Sequence, residues 1–328
     1  MLATTLCKSV LLFTLLILVY FLLLVRWSNR KVKGMDLEDD TENQYQPSRW
    51  SKRCPPDEAV PLHVKIATNE SNVARTTVPF KSNLRYGTRE GQTFDIYGNG
   101  TLKKDSPMFV YIHGGYWQYL TKELSAYCVV PLHEAGVRVV VPDYDLAPNV
   151  SLSIIVQEVF ELATFIMKMA KEDGVRDVWF GGHSAGAHLS SMLLSTELLS
   201  KLDDDSKAIF RGLFLISGVY NLKPLLRTTV NNALNLTEKE LSKLSPMSSI
   251  DDQVKNHLNK SFNLVVAVGE NDSPAFQQQS RDFHEVLSRR GIASKYIFVE
   301  EVDHFEIVEN LSKVDYKLTK ELIQLITK

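Results

Sequence analysis

Beyond residue 83, short apolar runs alternate with stretches whose apolar positions recur every three to four residues. The runs at 108–112, 137–141, 178–180, 212–216, 263–268 and 296–299 lack polar alternation, as strands buried on both faces do. Between them, Ile155, Val159, Leu162, Ile166 and Met169 keep the spacing of one helix face, which predicts a long crossover helix. Further helices are predicted near 122–135, over 187–199, around Phe283, Val286 and Leu287, and over 307–326 as a closing element. Residues 84–86 and 93–97, on either side of Gly87 and Gly91, read as an antiparallel pair ahead of this series. Strands alternating with helices predict an α/β architecture, a mostly parallel, doubly wound sheet with helices on both faces. The pattern lapses between Leu222 and Val254, where polar residues, Pro224 and Pro246 interrupt it. A small lid insertion over about 223–254 is expected there.

The amino-terminal end is different in kind. Residues 10–25 are apolar except for Thr14 and Tyr20. At ~1.5 Å per residue they span about 24 Å, and the stretch from Leu2 about 36 Å, against a hydrocarbon core of roughly 30 Å. Lys8 is the one charge within it and lies close enough to an end to snorkel. Arg26-Trp27-Ser28-Asn29-Arg30 offers no small-residue cleavage site, so an uncleaved single-pass membrane anchor is expected. An acidic, polar linker follows over 36–43. The expected organisation is therefore 1–43 as anchor and linker, and 44–328 as one folded domain. Arg26, Arg30, Lys31 and Lys33 after the apolar segment favour a cytosolic domain. Glycosylation sequons at Asn69, Asn99, Asn149, Asn235, Asn259 and Asn310 favour a lumenal one.

The chain of 328 residues is 44% hydrophobic, enough to bury a sizeable core in one unit. A net charge of −2 leaves no basic stripe, so nucleic acid is not an expected partner. Cys7, Cys54 and Cys128 have no CxxC or metal-site spacing, and neither a metal nor a cofactor is expected. Cys54 and Cys128 are the one pair beyond the amino-terminal segment able to bridge. Nothing in the sequence sets an oligomeric state; a homodimer is compatible with it.

Candidate chemistry begins at Trp179-Phe180-Gly181-Gly182-His183-Ser184-Ala185-Gly186-Ala187-His188, a strand meeting a helix through Gly-x-Ser-x-Gly. Such a turn strains the serine backbone and presents its hydroxyl at the end of the sheet, while Gly182 and Gly186 let strand and helix approach closely. Ser184 is the candidate nucleophile, with the N–H of Ala185 beside it. Tyr111-Ile112-His113-Gly114-Gly115-Tyr116-Trp117 closes an early strand. Backbone N–H groups of Gly114 and Gly115, with that of Ala185, would form an oxyanion hole worth about 3 kcal/mol per donor. His113 reads as scaffolding for this loop.

A nucleophilic serine needs a base, and the base an orienting carboxylate. After Ser184, Asp272 and His304 each fall just past the carboxyl end of a predicted strand, in the order acid then base. They are the candidate acid and base. Glu270 and Asp303 are rival carboxylates, with Asp303 read as a turn residue because sequence neighbours rarely orient each other's rings. His63, His133, His183, His188, His257 and His284 do not follow a late strand and are set aside as bases.

Taken together, these residues resemble the kynurenine formamidase (arylformamidase) family of the α/β-hydrolase fold. The resemblance runs from Gln44 to the carboxyl terminus. It rests on Gln44-Tyr45-Gln46-Pro47-Ser48-Arg49-Trp50, Gly91-Gln92-Thr93-Phe94-Asp95-Ile96-Tyr97, His113-Gly114-Gly115-Tyr116-Trp117-Gln118 and Tyr144-Asp145-Leu146-Ala147-Pro148. The elbow, Ser217-Gly218-Val219-Tyr220-Asn221-Leu222, Asp272-Ser273-Pro274 and Asp303-His304-Phe305-Glu306-Ile307-Val308-Glu309 complete it. Tyr116 discriminates best, since related esterases usually carry a third glycine there.

The resemblance implies hydrolysis of N-formyl-L-kynurenine to L-kynurenine and formate, a step of tryptophan catabolism, through a formyl-enzyme on Ser184. The family's nucleophile, acid and base fall on Ser184, Asp272 and His304. The expected partner is a small aryl formamide. In such an anilide the nitrogen lone pair is shared with the ring, which leaves the carbonyl more electrophilic. Tyr116 would narrow the acyl side, and Tyr116 and Trp117 either stack the aryl group or pack the loop. Familiar members carry no anchor. The expected anchor therefore keeps a second reading open, a membrane-anchored carboxylesterase resembling arylacetamide deacetylases or prenylcysteine methylesterases. A non-catalytic binding module is the third reading, against which the intact Ser, Asp and His stand.

Overall fold

The computed structural model describes residues 40–328, of which Gln44–Lys328 form one compact unit. Eight strands form one sheet: β1 Phe80–Arg85, β2 Thr93–Tyr97, β3 Met108–Ile112, β4 Arg138–Pro142, β5 Val178–His183, β6 Phe210–Ile216, β7 Asn263–Gly269 and β8 Lys295–Val299. Their order is β1-β2-β4-β3-β5-β6-β7-β8. β2 pairs antiparallel with both β1 and β4, and every later pairing is parallel. All residues of β3, β4 and β5 are buried, which is why these segments read as unbroken apolar runs.

Helices cover both faces, as the alternation predicts. Among them are α1 Pro56–Thr77, α2 Val129–Glu134, α3 Leu152–Asp173, α4 Ala185–Met192, α5 Pro274–Arg289 and α6 Lys317–Thr327. Along β3 the side chains alternate between two cores. Met108, Val110 and Ile112 join Ile155 and Val159 of α3, Leu189 of α4 and Phe283 of α5. Phe109 and Tyr111 join Ala67 and Ala74 of α1, Leu132 of α2 and Leu322 of α6. α3 stops at Gly174, whose φ of 75° supplies the left-handed cap.

Several elements differ from the sequence reading. α1 escaped it because the residues it buries are Ala59, His63, Ala67, Ser71 and Ala74, small or polar, with Pro61 inside the helix. The helix predicted over 187–199 breaks into α4 and Thr196–Leu199, where the Ser195 side chain caps the new start by accepting from Leu198 N–H. The closing element is likewise divided, into Glu306–Glu309, a 3-10 turn Asn310–Ser312 and α6. Within 223–254 the chain is a series of short helical pieces, among them Glu238–Leu244, which opens on a Thr237–Glu240 capping box.

The membrane anchor and membrane localisation are corrected. Among the described residues no helix is long and apolar enough to cross a membrane. The apolar segment on which that expectation rested lies outside the described residues, and neither an anchor nor a membrane partner is carried further. Cys54 and Cys128 are not bridged; both are free, and Cys128 is buried.

Candidate active site

β5 sits at the middle of the sheet between β3 and β6, and its last residue leads directly into the elbow. Ser184 has φ 53° and ψ −116°, a conformation costly for any residue with a Cβ. Hydrogen bonds hold it: its N–H donates to Ile216 O at 2.9 Å, and its carbonyl accepts from His188 N–H at 3.1 Å. A Cβ on Gly182 would stand 2.6 Å from the Gly186 carbonyl carbon, and one on Gly186 2.6 Å from His113 O. Only glycine fits at either position, which is the close approach the motif requires.

The loop after β3 folds back on itself. Gly115 has φ 93°, and its carbonyl accepts from the N–H groups of Gln118 and Tyr119, each at 3.0 Å. Tyr116 and Trp117 follow at φ 50° and 60°. His113 is buried and stacks on Tyr144, ring centroids 4.3 Å apart, while the Tyr144 hydroxyl donates to His113 O at 3.0 Å. It therefore braces the loop and does not face the serine's cavity. Tyr116 does reach the cavity, with its hydroxyl donating to Tyr45 O at 2.7 Å. Trp117 does not line it. Its indole is 0% exposed and meets the edge of His188 at 4.9 Å, so of the two aromatic candidates Trp117 packs the loop.

Asp272 follows β7 and His304 follows β8. The Nδ1 of His304 lies 2.8 Å from Asp272 Oδ2, and Asp272 Oδ1 accepts from Ser273 N–H at 3.0 Å. Both side chains are buried. The rival carboxylates are turned elsewhere. Glu270 accepts from Glu301 N–H, and Asp303 accepts from the N–H groups of Phe305 and Glu306 and from the Ser51 hydroxyl. Asp303 is thus a turn and capping residue. The ring of His304 also rests against Phe276 at 4.6 Å and against His183 at 4.4 Å. Burial first, then the neighbouring His304 and His63, hold His183 well below the usual histidine range, so it packs against His304 as a neutral ring.

Ser184, His304 and Gly115 open onto a cavity of about 320 Å³ whose remaining wall includes Tyr116, Tyr119, Leu120 and Val230. A hollow of about 420 Å³ elsewhere, between Tyr86, Phe160 and Lys168, is larger but far less suited to acyl transfer: its walls carry neither a serine nor a histidine. Sequence reasoning missed part of the wall at Ser184. Tyr45, Gln46, Pro47 and Ser48 come from the amino-terminal end of this unit, His63 from α1, and Phe305 from beside His304. The motif at Gln44–Trp50 was a signal for the first of these, although it indicated no role. His63 left no signal.

The fold and this constellation define a hydrolase of the α/β-hydrolase fold, and the family model with that description matches residues 109–307. Among solved structures, a chain from Silicibacter sp. superposes with a TM-score of 0.69 at 25% identity, covering 88% of this chain and 99% of its own. The kynurenine formamidase of Danio rerio is 36% identical over 89% of this chain and 97% of its own length. That of Drosophila melanogaster is 32% identical over 87% and 95%. The isoprenylcysteine alpha-carbonyl methylesterase of Arabidopsis thaliana matches at 23% over 57% of its length. The chain belongs to the kynurenine formamidase family.

Proposed function

We propose that the protein hydrolyses N-formyl-L-kynurenine to L-kynurenine and formate, with Gln44–Lys328 as the catalytic unit. The observation that carries this reading is the convergence of a strained Ser184, a His304 braced on Asp272 and a tyrosine-narrowed cavity in a chain of this family. Ser184 Oγ attacks the formyl carbon as His304 Nε2 takes its proton. Charge gathering on the carbonyl oxygen is met by the N–H groups of Ala185 and of Gly114 and Gly115, each worth about 3 kcal/mol. The C–N bond then breaks, and His304 returns the proton to the departing aniline nitrogen. A water deprotonated by His304 attacks the formyl-enzyme, formate leaves, and Ser184 recovers its proton.

Tyr116 supports a small acyl group. Its ring occupies the cavity wall next to Gly115, and its hydroxyl is tied to the Tyr45 carbonyl, so it stands fixed where a glycine would leave room. The same feature speaks against long-chain or prenyl esters as the principal substrates. The 223–254 segment acts as the lid: Val230 lines the cavity, and its carbonyl accepts from Gln118 Nε2 at 2.9 Å.

The test is formate release from N-formyl-L-kynurenine by wild type and Ser184→Ala, with a long-chain aryl ester as comparison. A drop of about 10⁴- to 10⁶-fold in turnover is expected for the variant, and a wild-type preference for the formamide. Residual activity within about tenfold of wild type, or preference for the ester, would overturn the reading.

A further inference from the structure

One buried titratable pair that the mechanism leaves unused opens onto the same cavity. His63, on α1, is 4% exposed, and its Nδ1 lies 2.8 Å from Oε1 of Glu309, also 4% exposed. Glu309 ends the short helix that follows His304. Arg53 closes on the same carboxylate, with Nη1 2.5 Å from Oε2 and Nη2 2.9 Å from Oε1. Burial alone would raise the Glu309 carboxyl, but hydrogen bonds from Arg53 and His63 outweigh it and hold the group below the ordinary carboxylate range. An ionised carboxylate only accepts, so the proton of the His63–Glu309 bond sits on Nδ1.

The other edge of His63 is uncommitted. Nε2 makes no hydrogen bond to the described residues, and the side chain lines the cavity together with Ser184 and His304. Phe305 touches both imidazoles, at 5.2 Å from His63 and 5.6 Å from His304 between ring centroids. His63 is therefore held much as the base is held, with a carboxylate behind it and a ring nitrogen left for the cavity, one aromatic ring away from the chemistry. Desolvating a histidine and a carboxylate is costly, and packing alone does not call for this pair.

We propose that His63 is a specificity-determining residue whose Nε2 accepts a hydrogen bond from the ammonium group of an amino-acid-bearing aryl formamide. This rests on the formamidase reading. A ring that donates from Nδ1 to Glu309 and carries no second proton offers Nε2 as an acceptor, which suits an ammonium. A ring protonated at both nitrogens would donate from Nε2 and suit a carboxylate, the outcome that the test below separates. The surroundings agree in sign. Asp303 and Glu309 stand against the single guanidinium of Arg53, which leaves a net negative charge behind the ring. Tyr116, Tyr119 and Phe305 supply the apolar surface that an aryl ring needs between the two polar ends. Glu309 acts through His63 as a positioning residue.

The experiment compares kcat/KM of wild type, His63→Ala, His63→Phe and Glu309→Gln on three substrates. These are N-formyl-L-kynurenine, its decarboxylated amine, and formanilide, which lacks the side chain altogether. The expected result for His63→Ala is a loss of about 10- to 100-fold on the first two, chiefly in KM, and of less than about threefold on formanilide. Glu309→Gln is expected to follow the same pattern more weakly. Circular dichroism and a urea melt report the folding of each variant. If alanine unfolds the chain, His63→Phe, which keeps the ring and removes both nitrogens, makes the same comparison. Equal losses on all three substrates by a folded variant, or no loss, would overturn the proposal. A loss confined to N-formyl-L-kynurenine would transfer the contact to the carboxylate and overturn the ammonium assignment. A wild type that cleaves formanilide but not N-formyl-L-kynurenine would sink the formamidase reading, and this inference with it.

Discussion

Asp272 accepts the Nδ1 proton of His304 at 2.8 Å, although the two residues leave different strands of the sheet. Because a carboxylate has no proton to give, this bond fixes the tautomer and points Nε2 away from Asp272. Replacing Asp272 by Asn puts an N–H donor where the acceptor stood and favours the wrong tautomer. Asp272→Asn is expected to lower kcat by about 10⁴-fold while the circular dichroism spectrum stays unchanged. A fall of less than about tenfold would remove Asp272 from the relay.

The elbow is also a steric device. Gly186 faces the backbone carbonyls of Ile112 and His113, and a methyl group there has no flexible neighbour to displace. Gly186→Ala is expected to destabilise the fold by more than about 3 kcal/mol, read as a lowered urea midpoint or loss of soluble expression. A variant as stable as wild type would mean that α4 leaves room for a methyl group against the end of β3.

On the proposed reading Tyr116 sets the acyl size. Its φ of 50° is one that glycine adopts freely, so Tyr116→Gly opens the cavity without straining the backbone. The ratio of aryl butyrate to aryl formate hydrolysis is expected to rise about tenfold or more in this variant. An unchanged ratio would place the acyl group elsewhere in the cavity.

Arg53 gives the stability a pH signature. Glu309 sits below its ordinary value in the folded chain despite burial, because Arg53 and then His63 hydrogen-bond to it. A depressed carboxylate contributes stability above the unfolded value of about 4.3, and that contribution is lost as pH falls through the folded value. In Arg53→Ala, burial acts with less opposition and two buried carboxylates lose their counter-charge. The variant is expected to be less stable than wild type by about 3 kcal/mol at pH 7, with the gap narrowing towards pH 4. Urea melts across that range check the sign; a gap that widens on acidification would contradict it.

Much of this molecule was legible along the chain. Strands β3 to β7 declared themselves because a parallel sheet buried on both faces has to be apolar throughout, whereas the edge strand β8 keeps exposed positions. Ser184, Asp272 and His304 could be picked out as candidates because the fold gathers its chemistry at strand ends, and the turns there carry glycine, proline and acidic residues. The structure pairs His304 with Asp272 and opens His304 and Ser184 onto one cavity. Other features had no one-dimensional trace. α1 buries alanine, serine and histidine, so its inward face carries no hydrophobic stripe. Trp117 and Tyr116 are adjacent and equally aromatic. Only the run of left-handed residues in their loop sends one into the core and the other into the cavity. The Arg53–Glu309–His63 cluster joins residues remote in sequence, and an ion pair of that kind leaves no periodicity to detect. Local backbone physics wrote the sheet and the strand-end turns that carry the candidate residues into the sequence. Which polar side chains share a buried wall was decided only when distant segments packed, because desolvation and charge pairing act through space and not along the chain.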